Sequence, residues 1–285
     1  MTASSIAQLL ARDEPLLIAH AGGNFDAPQE TMYAYRRAAE VGSDVLELDV
    51  MLTADDVLVV HHDDTVDRLT NGTGAIADMT VAEVQLLDAA YWFIPGSSPS
   101  GDRPGAEYEL RGARTDDVDP PAGFSADDFR IPTFREVAEA FPELPLDVEI
   151  KGAGPGAASA VDVLAVELGA LGRVDSTVVV SFEAAIVELM RRRLPEVALS
   201  PGLDTLAAWV MSSDPLGDYA VVQIPPSYEG IELVGPVVER AHAEGTAVWV
   251  WPNDPDTQEN TEYYQELIDA GVDGVIAASP SSWPR

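Results

Sequence analysis

The chain has 285 residues, of which 49 are Asp or Glu and only 16 are Lys or Arg, so its formal charge at pH 7 is −33. Nucleic acids and anionic bilayers are bound through clustered Lys and Arg, and this composition excludes both as expected partners. Cysteine is absent, which excludes disulfides, thiolate metal sites and a cysteine nucleophile. A hydrophobic content of 46% favours a folded chain, either two domains or one large α/β barrel.

Short β-branched runs alternate with amphipathic segments over most of the chain, which is typical of parallel βα units. The predicted strands, in chain order, are 15–20, 44–50, 57–62, 146–151, 176–182, 197–202, 219–224, 246–251 and 272–277. The predicted helices are 30–42, 134–141, 156–172, 183–194, 233–245 and 261–271. These elements predict a single domain over residues 1–285, a somewhat distorted TIM (β/α)₈ barrel.

The distortion is expected between the second and third predicted strands. Only six residues separate Val50 from Val57, whereas a parallel crossover needs about a dozen. These two strands therefore form a hairpin, or the barrel is irregular there. Residues 90–131, rich in Gly, Pro, Ser and Asp, are interpreted as an insertion with its own small structure, and a lid over the site is one role for it. Its segment 91–94 (Tyr-Trp-Phe-Ile) forms either an apolar groove or the core of the insertion.

The amino terminus, residues 1–17, has no basic start and no long apolar core, so no signal peptide is expected. No apolar run approaches the ~18 residues that a membrane span needs, so no membrane-spanning helix is expected. These observations predict a soluble, cytoplasmic protein without stable membrane insertion, of undefined oligomeric state. Two origins fit the strong acidity with Arg in place of Lys: adaptation to high salt, or a high-GC genome.

Several candidate site residues lie on the first two predicted strands. His20 ends the first strand and precedes Ala21-Gly22-Gly23, where small side chains allow backbone and ligand to approach closely. Glu47 and Asp49 are two residues apart on one strand, so both side chains leave the same face. Adjacent carboxylates repel each other, and a divalent cation between them can hold both in the ionised form. The alternative is a pair of surface acids, but both residues lie within an apolar strand, whereas surface acids of this chain cluster in loops, so a metal site is favoured.

The same spacing occurs again at Glu149 and Lys151. Lys151 is the only lysine among the 16 basic residues, so it is a candidate contact for an anionic substrate, with a salt bridge to Glu149 as the alternative. Glu149 is a candidate third metal ligand. His61 and His62 point to opposite faces if the strand continues through them, and the strand period does not choose between them. His242, in a predicted helix, is interpreted as a packing or surface residue.

In this order and spacing, the motifs His-x-Gly, Glu-x-Asp, His-Asp and Glu-x-Lys resemble the glycerophosphodiester phosphodiesterase family. The resemblance begins at IAHAGG, continues through LELDV, VVHHDD and LDVEIK, and ends at AGVDGVIAASP, so it covers nearly the whole chain except the insertion. It implies a TIM barrel with its site at the carboxyl ends of the strands. The implied activity is a metal-dependent hydrolysis of glycerophosphodiesters to an alcohol and glycerol 3-phosphate.

The resemblance also implies a role for each matching residue. His20 and His62 would be the acid and base pair, Glu47, Asp49 and Glu149 the ligands of Ca²⁺ or Mg²⁺, Lys151 a phosphate contact and Trp251 a substrate contact. Oxygen ligands suit either cation. Three carboxylates, one divalent ion and the lysine together carry no net charge, so the pocket need not share the negative sign of the surface.

Three positions depart from the family pattern. Ala21 replaces the usual arginine, and Gln29 replaces the glutamate of the usual Pro-Glu-Asn-Thr motif. Loss of both charges together suggests that the two side chains normally contact each other. In Trp251-Pro-Asn-Asp one residue separates the tryptophan from the asparagine, whereas two separate them in the usual Trp-Thr-Val-Asn, so the role that the resemblance implies for Trp251 is less certain to apply.

An apolar residue at position 21 also resembles a branch of the family that acts on lysophospholipids as a lysophospholipase D. The segment 223–226 (Gln-Ile-Pro-Pro) is similar to a segment of that branch. Lysophospholipid cleavage, releasing lysophosphatidate, is therefore an alternative activity. A second alternative is a non-catalytic barrel that binds its ligand without turnover.

Overall fold

The computed structural model describes residues 3–284; Met1, Thr2 and Arg285, which the predicted domain of 1–285 includes, lie outside the described residues. The strands are β1 (Leu16–Ala19), β2 (Val45–Leu52), β3 (Leu58–Val60), β4 (Leu146–Ile150), β5 (Thr177–Val180), β6 (Ala198–Leu199), β7 (Val221–Ile224), β8 (Ser227–Tyr228), β9 (Ile231–Glu232), β10 (Ala247–Val250) and β11 (Gly274–Ala277). The α-helices are α1 (Ile6–Leu10), α2 (Met32–Val41), α3 (Val81–Val84), α4 (Phe134–Ala140), α5 (Gly154–Leu171), α6 (Ala184–Arg193), α7 (Leu203–Met211), α8 (Val234–Glu244), α9 (Pro255–Gln258) and α10 (Thr261–Asp269). Short 3₁₀ turns lie at His20–Gly22, Ile76–Asp78, Gly105–Glu107, Ala126–Phe129, Val174–Ser176 and Pro280–Ser282.

Eight strands pair in parallel in the order β6-β5-β4-β2-β1-β11-β10-β7. The two ends of this order meet where Ala220 N, just before β7, donates a hydrogen bond to Leu199 O of β6 at 3.0 Å. The sheet therefore closes into a barrel with helices outside it. The predicted TIM barrel is confirmed.

The expected irregularity lies at the second and third strands. β3 pairs with β2 in antiparallel register, with Met51 opposite Val59, and stands off the path of the eight parallel strands. The short connection therefore makes a hairpin. Every predicted strand is present, but the hairpin β8–β9 and helices α1, α3, α7 and α9 were not predicted.

Alternation along β2 and β4 separates the core from the site. Leu46 and Leu48 of β2 and Val148 of β4 pack outward against the helices in the main hydrophobic cluster. Glu47 and Asp49 of β2 leave the opposite face and point into the barrel. The apolar face fixes the register of each strand, and a slip of one residue would bury the carboxylates against the helices.

Helix α5 is the one described helix that is long and apolar enough to cross a membrane, with 18 residues and a mean hydropathy of 1.2. It is a marginal exception to the prediction that no apolar run approaches that length, since the helix also carries Asp162 and Glu167. Length and composition alone give this result. The face of α5 that carries Val161, Leu164 and Leu168 is buried in the hydrophobic cluster around β2 and β4, as expected of a barrel helix.

The segment 90–131 packs on the outside of the barrel against α2. The ring of Phe129 stacks on that of Tyr33 in α2, with centroids 4.9 Å apart. The Arg111 guanidinium lies over three rings of the same segment, those of Tyr91, Trp92 and Tyr108. Its aromatic residues therefore contact one another and the barrel surface. Whether the segment is a true insertion in a single domain stays a prediction.

Arg173 ties the end of α4 to the start of β5, and its replacement tests this anchor. Its buried guanidinium donates to Ala138 O at 2.9 Å, to Phe141 O at 3.0 Å and to Leu144 O. Arg173→Leu should lower the free energy of unfolding by about 3 kcal/mol, because these buried carbonyls lose their donors. Urea unfolding measures the loss. The exposed Arg103→Leu is the control and should change stability by less than about 0.5 kcal/mol; an equal loss in both variants would contradict this role.

Candidate active site

A pocket opens at the carboxyl ends of the barrel strands. It is lined by all seven residues predicted for the site: His20, Glu47, Asp49, His62, Glu149, Lys151 and Trp251. They lie on, or within two residues after, the strands β1, β2, β3, β4 and β10. This is the end of a TIM barrel at which active sites are found. No described residue of the segment 90–131 lines the pocket, so that segment forms no lid over it.

A tight turn after β1 positions His20. Gly22 has φ of 79°, and a Cβ there would lie 2.9 Å from the Cβ of Ala34 in α2, so only glycine fits. The close approach that was expected for a ligand is thus made by a helix. The turn also directs Ala21 N at Glu47 Oε2, to which it donates at 2.6 Å. The backbone of the histidine turn therefore orients one of the candidate metal ligands.

The candidate metal ligands surround the single lysine. Lys151 Nζ lies 3.0 Å from Glu149 Oε1 and 3.5 Å from Asp49 Oδ1, so the salt bridge considered from the sequence is present. Although burial opposes its charge, these carboxylates raise the pKa of Lys151. Burial, reinforced by Asp49, raises the pKa of Glu149 to about 7, and burial also raises that of Glu47. The carboxylates of this cluster therefore outnumber its one positively charged side chain, that of Lys151.

The donor set fits a hard divalent cation. The described residues contain no ready-made cluster of three metal-ligating side chains. The Oδ2 atom of Asp49 is nevertheless buried without any hydrogen-bond partner. An unpaired buried carboxylate oxygen is costly, and a divalent cation relieves both that cost and the repulsion from Glu47 and Glu149. All three side chains offer only oxygen, the ligand that Ca²⁺ and Mg²⁺ prefer.

Two further buried carboxylates were missed from the sequence. Glu30 Oε1 accepts a hydrogen bond from Asp49 N at 3.2 Å. Asp147 of β4 accepts hydrogen bonds from Gln223 Nε2 at 2.9 and 3.0 Å. Burial raises the pKa of Glu30, and it raises that of Asp147 to about 8. Asp147 lies two residues before Glu149 on the same strand, so both side chains leave the same face. The alternation of side chains along the strand could therefore have predicted its place in the site.

These additions change the charge balance expected for the pocket. Five carboxylates outnumber the combined positive charge of Lys151 and a divalent ion by two. The neutrality inferred from three carboxylates therefore leaves out two buried acidic side chains. Burial raises the pKa of both Glu30 and Asp147, which favours the protonated form of each and lowers this excess of negative charge.

A protonated Asp147 makes stability depend on pH. The raised pKa means that the folded protein holds a proton, between about pH 4 and 8, that the unfolded chain releases. Asp147 alone should therefore make the unfolding free energy fall by up to about 1.4 kcal/mol per pH unit through this window, in addition to the falls from Glu30, Glu47 and Glu149. In urea melts with EDTA, Asp147→Asn should make the total slope shallower, whereas the exposed Asp204→Asn should leave it unchanged. Parallel slopes in wild type and Asp147→Asn would show that Asp147 is ionised in the folded state.

The structure separates the two adjacent histidines. β3 ends at Val60, so strand alternation no longer applies to them. His61 is buried, and its Nε2 lies 3.1 Å from Thr65 O. His62 lines the pocket, and its Nδ1 lies 2.7 Å from Asp63 Oδ1, which leaves Nε2 for a ligand. His242, the fourth histidine, lies on the surface 2.8 Å from Asp273.

Charged partners hold His62 and its carboxylate in place. Arg68 donates to both carboxylate oxygens of Asp63, at 2.6 and 2.9 Å. Burial opposes the charge of Asp63, but the hydrogen bonds from His62 and Arg68 outweigh it and hold the pKa well below its usual range. His20 differs, because burial lowers its pKa to about 4 and keeps it neutral at pH 7. The pocket thus contains one neutral imidazole and one that is paired with a carboxylate.

The two substituted family positions lie close together, because the residue after Gln29 is hydrogen-bonded to Ala21. Glu30 N, next to Gln29, donates to Ala21 O at 2.8 Å. The hypothesis that the family's arginine and glutamate contact each other requires this proximity. Ala21 and Glu30 both have positive φ, 48° and 58°, a conformation that non-glycine residues adopt mainly where the surrounding structure enforces it. The contact therefore constrains the turn that carries His20.

The opposite wall of the pocket is apolar. It comes from the segments after β5, β6, β7 and β10, including the start of helix α7, and these strands are neighbours around the barrel. Its side chains are Phe182, Pro201, Leu203, Leu206, Pro225 and Trp251. The rings of Phe182 and Trp251 lie 6.4 Å apart. A charged half from β1 to β4 therefore faces an apolar half, and none of the apolar half comes from the segment 90–131.

The known proteins that this chain resembles are glycerophosphodiester phosphodiesterases. Residues 20–281 match the model of the glycerophosphoryl diester phosphodiesterase family. A glycerophosphodiester phosphodiesterase of Caldanaerobacter subterraneus subsp. tengcongensis is 28% identical over 271 residues, which are 94% of this chain and 95% of that protein. Human glycerophosphodiester phosphodiesterase 1 is 33% identical over 186 residues, 65% of this chain and 47% of that protein.

A solved structure shares the fold. The Oleispira antarctica phosphodiesterase in complex with sn-glycerol-3-phosphate superposes with a TM-score of 0.70 at 23% identity, covering 97% of this chain and 96% of that one. At 23% identity this likeness shows that the two proteins share the barrel fold. The match to the family model covers most of the chain and all seven predicted site residues.

Proposed function

Since the chain belongs to the glycerophosphoryl diester phosphodiesterase family, we propose that it hydrolyses glycerophosphodiesters to an alcohol and glycerol 3-phosphate. The main support is the single pocket that contains two histidines, three carboxylates and the only lysine of the chain. The product complex of the Oleispira antarctica protein also supports it, because glycerol 3-phosphate is the product expected here.

The two histidines divide the proton transfers. His20 is neutral and takes the proton from the attacking oxygen. This oxygen belongs either to water or to a hydroxyl of the substrate's own glycerol. The attacking oxygen forms a bond to phosphorus, and the bond from phosphorus to the leaving oxygen breaks. His62 Nε2 gives a proton to that oxygen, and Asp63 at Nδ1 stabilises the imidazolium that carries this proton. When the glycerol hydroxyl attacks, the first product is a cyclic phosphate; water then bonds to phosphorus, and the bond from phosphorus to that hydroxyl oxygen breaks, with His62 accepting the proton of the water and His20 returning its proton to the hydroxyl oxygen. Either route consumes one water and restores both histidines.

Positive charge is needed because the phosphodiester is an anion. Glu47, Asp49 and Glu149 would hold Ca²⁺ or Mg²⁺, which when bound supplies charge that stabilises the phosphoryl oxygens in the transition state. Lys151, directed into the same pocket, contacts a phosphate oxygen. Protons on Glu30 and Asp147 keep the two extra carboxylates from repelling the substrate.

A lysophospholipase D activity is the second candidate, and the apolar half supports it. The charged half positions phosphate, so a group attached to the phosphate extends toward Phe182, Leu203 and Trp251. Apolar surface there gains free energy when it covers a hydrocarbon chain. The products would be lysophosphatidate and the headgroup alcohol. The non-catalytic alternative has no comparable support, because every predicted catalytic residue lies in the pocket.

A substrate comparison tests both candidates. The protein is incubated with Mg²⁺ or Ca²⁺ and, separately, with glycerophosphocholine, glycerophosphoethanolamine or lysophosphatidylcholine, and released choline or ethanolamine is measured. Turnover of the first two is expected of the main candidate, and added turnover of the third is expected of the second. Release from none of them would contradict both.

A further inference from the structure

The hairpin β8–β9 presents unpartnered apolar side chains next to the mouth of the pocket. Tyr228 and Ile231 face each other across the hairpin, and they are 55% and 65% exposed. The turn between them, Glu229-Gly230, has positive φ at both residues, as a tight two-residue hairpin requires. The hairpin follows β7 directly and therefore leaves the barrel at its carboxyl end. We call residues 227–232 the mouth hairpin.

The mouth hairpin is continuous with the apolar half of the pocket. Asn253 Nδ2 donates to Ser227 O at 3.0 Å, which fixes the hairpin beside the loop that carries Trp251. Phe182, after β5, and Leu203, at the start of α7, are 51% and 46% exposed although they line the pocket. Pro225 also lines the pocket, and the mouth hairpin begins two residues after it. Exposed apolar residues therefore occur both at the rim of the pocket and on the hairpin that follows it, and exposed apolar side chains grouped near a site can mark an interaction surface.

The negative charge around the mouth hairpin determines which kind of lipid surface it can bind. Glu229, in the turn between the apolar pair, and Glu232, directly after it, are exposed, and the chain as a whole carries a formal charge of −33. An anionic bilayer would be repelled. The outermost group of a phosphocholine surface is a quaternary ammonium, which carboxylates attract and aromatic rings such as that of Tyr228 bind by cation–π interaction. Tyrosine and isoleucine together suit a boundary that is polar outside and apolar inside.

We propose that the mouth hairpin docks the pocket on a phosphocholine lipid surface, with Tyr228 and Ile231 as its contact residues. The inference rests on the proposed function in its lysophospholipid form. Docking places the apolar half against the lipid from which a chain-bearing substrate leaves, so the substrate enters without exposing its chain to water. A substrate without a chain, such as glycerophosphocholine, gains nothing from the surface.

Binding is tested by sedimentation with phosphatidylcholine vesicles. The full-length wild type should sediment with them. A double variant, Tyr228→Ser with Ile231→Ser, should bind the vesicles at least about tenfold more weakly. Val166→Ser is the matched control, because Val166 is 70% exposed on α5, away from the pocket, and this variant should bind like wild type. Phosphatidylglycerol vesicles should bind none of the proteins. Wild type that stays in the supernatant, or a double variant that binds equally, would overturn the proposal.

Kinetics separate this inference from the proposed function. The double variant should hydrolyse glycerophosphocholine like wild type, which also shows that it is folded. On micellar lysophosphatidylcholine it should lose about tenfold in kcat/KM, because fewer molecules reach the surface. Equal turnover of the micellar substrate by wild type and double variant would refute docking while leaving phosphodiester hydrolysis intact. Absence of glycerophosphocholine hydrolysis in wild type would instead refute the proposed function.

Discussion

Replacing His62 by glutamine should lower kcat on glycerophosphocholine by about 10²–10⁴-fold, the range that general acid–base catalysis contributes. Glutamine keeps a polar side chain of similar reach but cannot give up a proton at the leaving oxygen. The melting temperature should change little, because the His62 side chain is 43% exposed and its hydrogen bond is to Asp63. Steady-state kinetics with circular dichroism melts measure both effects.

The adjacent histidine supplies the matched control. His61 is buried and its ring nitrogen contacts Thr65 O at 3.1 Å, so His61→Gln should lower the melting temperature. Its folded fraction should nevertheless keep kcat within about threefold of wild type, as expected for a residue without a role in proton transfer. A kcat that falls with His61→Gln and survives His62→Gln would reverse the assignment of the two residues.

Lys151→Met should lower kcat/KM by about 10²–10³-fold and should bind the divalent cation at least as tightly as wild type. The activity falls because a preorganised positive charge at the phosphate is lost. Metal binding is maintained because Lys151 now pairs with Glu149 and Asp49 at 3.0 and 3.5 Å and competes with a cation for them. Isothermal titration with Mg²⁺ or Ca²⁺ and steady-state kinetics measure the two quantities independently.

Glu149→Gln is the variant to compare with it. Loss of this carboxylate should weaken metal binding and activity together, since Glu149 is a proposed ligand. The two variants thus have opposite effects on metal affinity and the same effect on turnover. Lys151→Met with weakened metal binding and unchanged activity would show that the lysine serves the carboxylates and not the substrate.

The barrel was predictable because its strands are apolar on one face or both and are separated by amphipathic helices. The hairpin of β2 and β3 was one of two options, and the six residues between Val50 and Val57 decided against a parallel crossover. Helix α7 was missed, since Leu203–Met211 has no side-chain cap at its start and no glycine at its end. The mouth hairpin was missed because two-residue strands have too few positions to show alternation.

The site was predicted where charge and strand period agree, and missed where contacts are long-range. Glu47, Asp49 and Glu149 stand out as carboxylates within apolar strands. Asp147 satisfies the same period and was overlooked. Glu30 could not be found this way, because its approach to Asp49, 19 residues later, depends on a turn with positive φ. The apolar half is likewise invisible in the sequence, since it combines loops that only the closed barrel brings together.

The central claim, hydrolysis that depends on a divalent cation held by three carboxylates, is tested most directly by metal removal. Glycerophosphocholine is followed by ³¹P NMR with the wild-type protein in Mg²⁺ or Ca²⁺, then in excess EDTA, then after the cation is restored. Glycerol 3-phosphate should form with the cation, formation should stop in EDTA, and it should resume on restoration. Undiminished formation of glycerol 3-phosphate in EDTA, or none in either cation, would contradict the account.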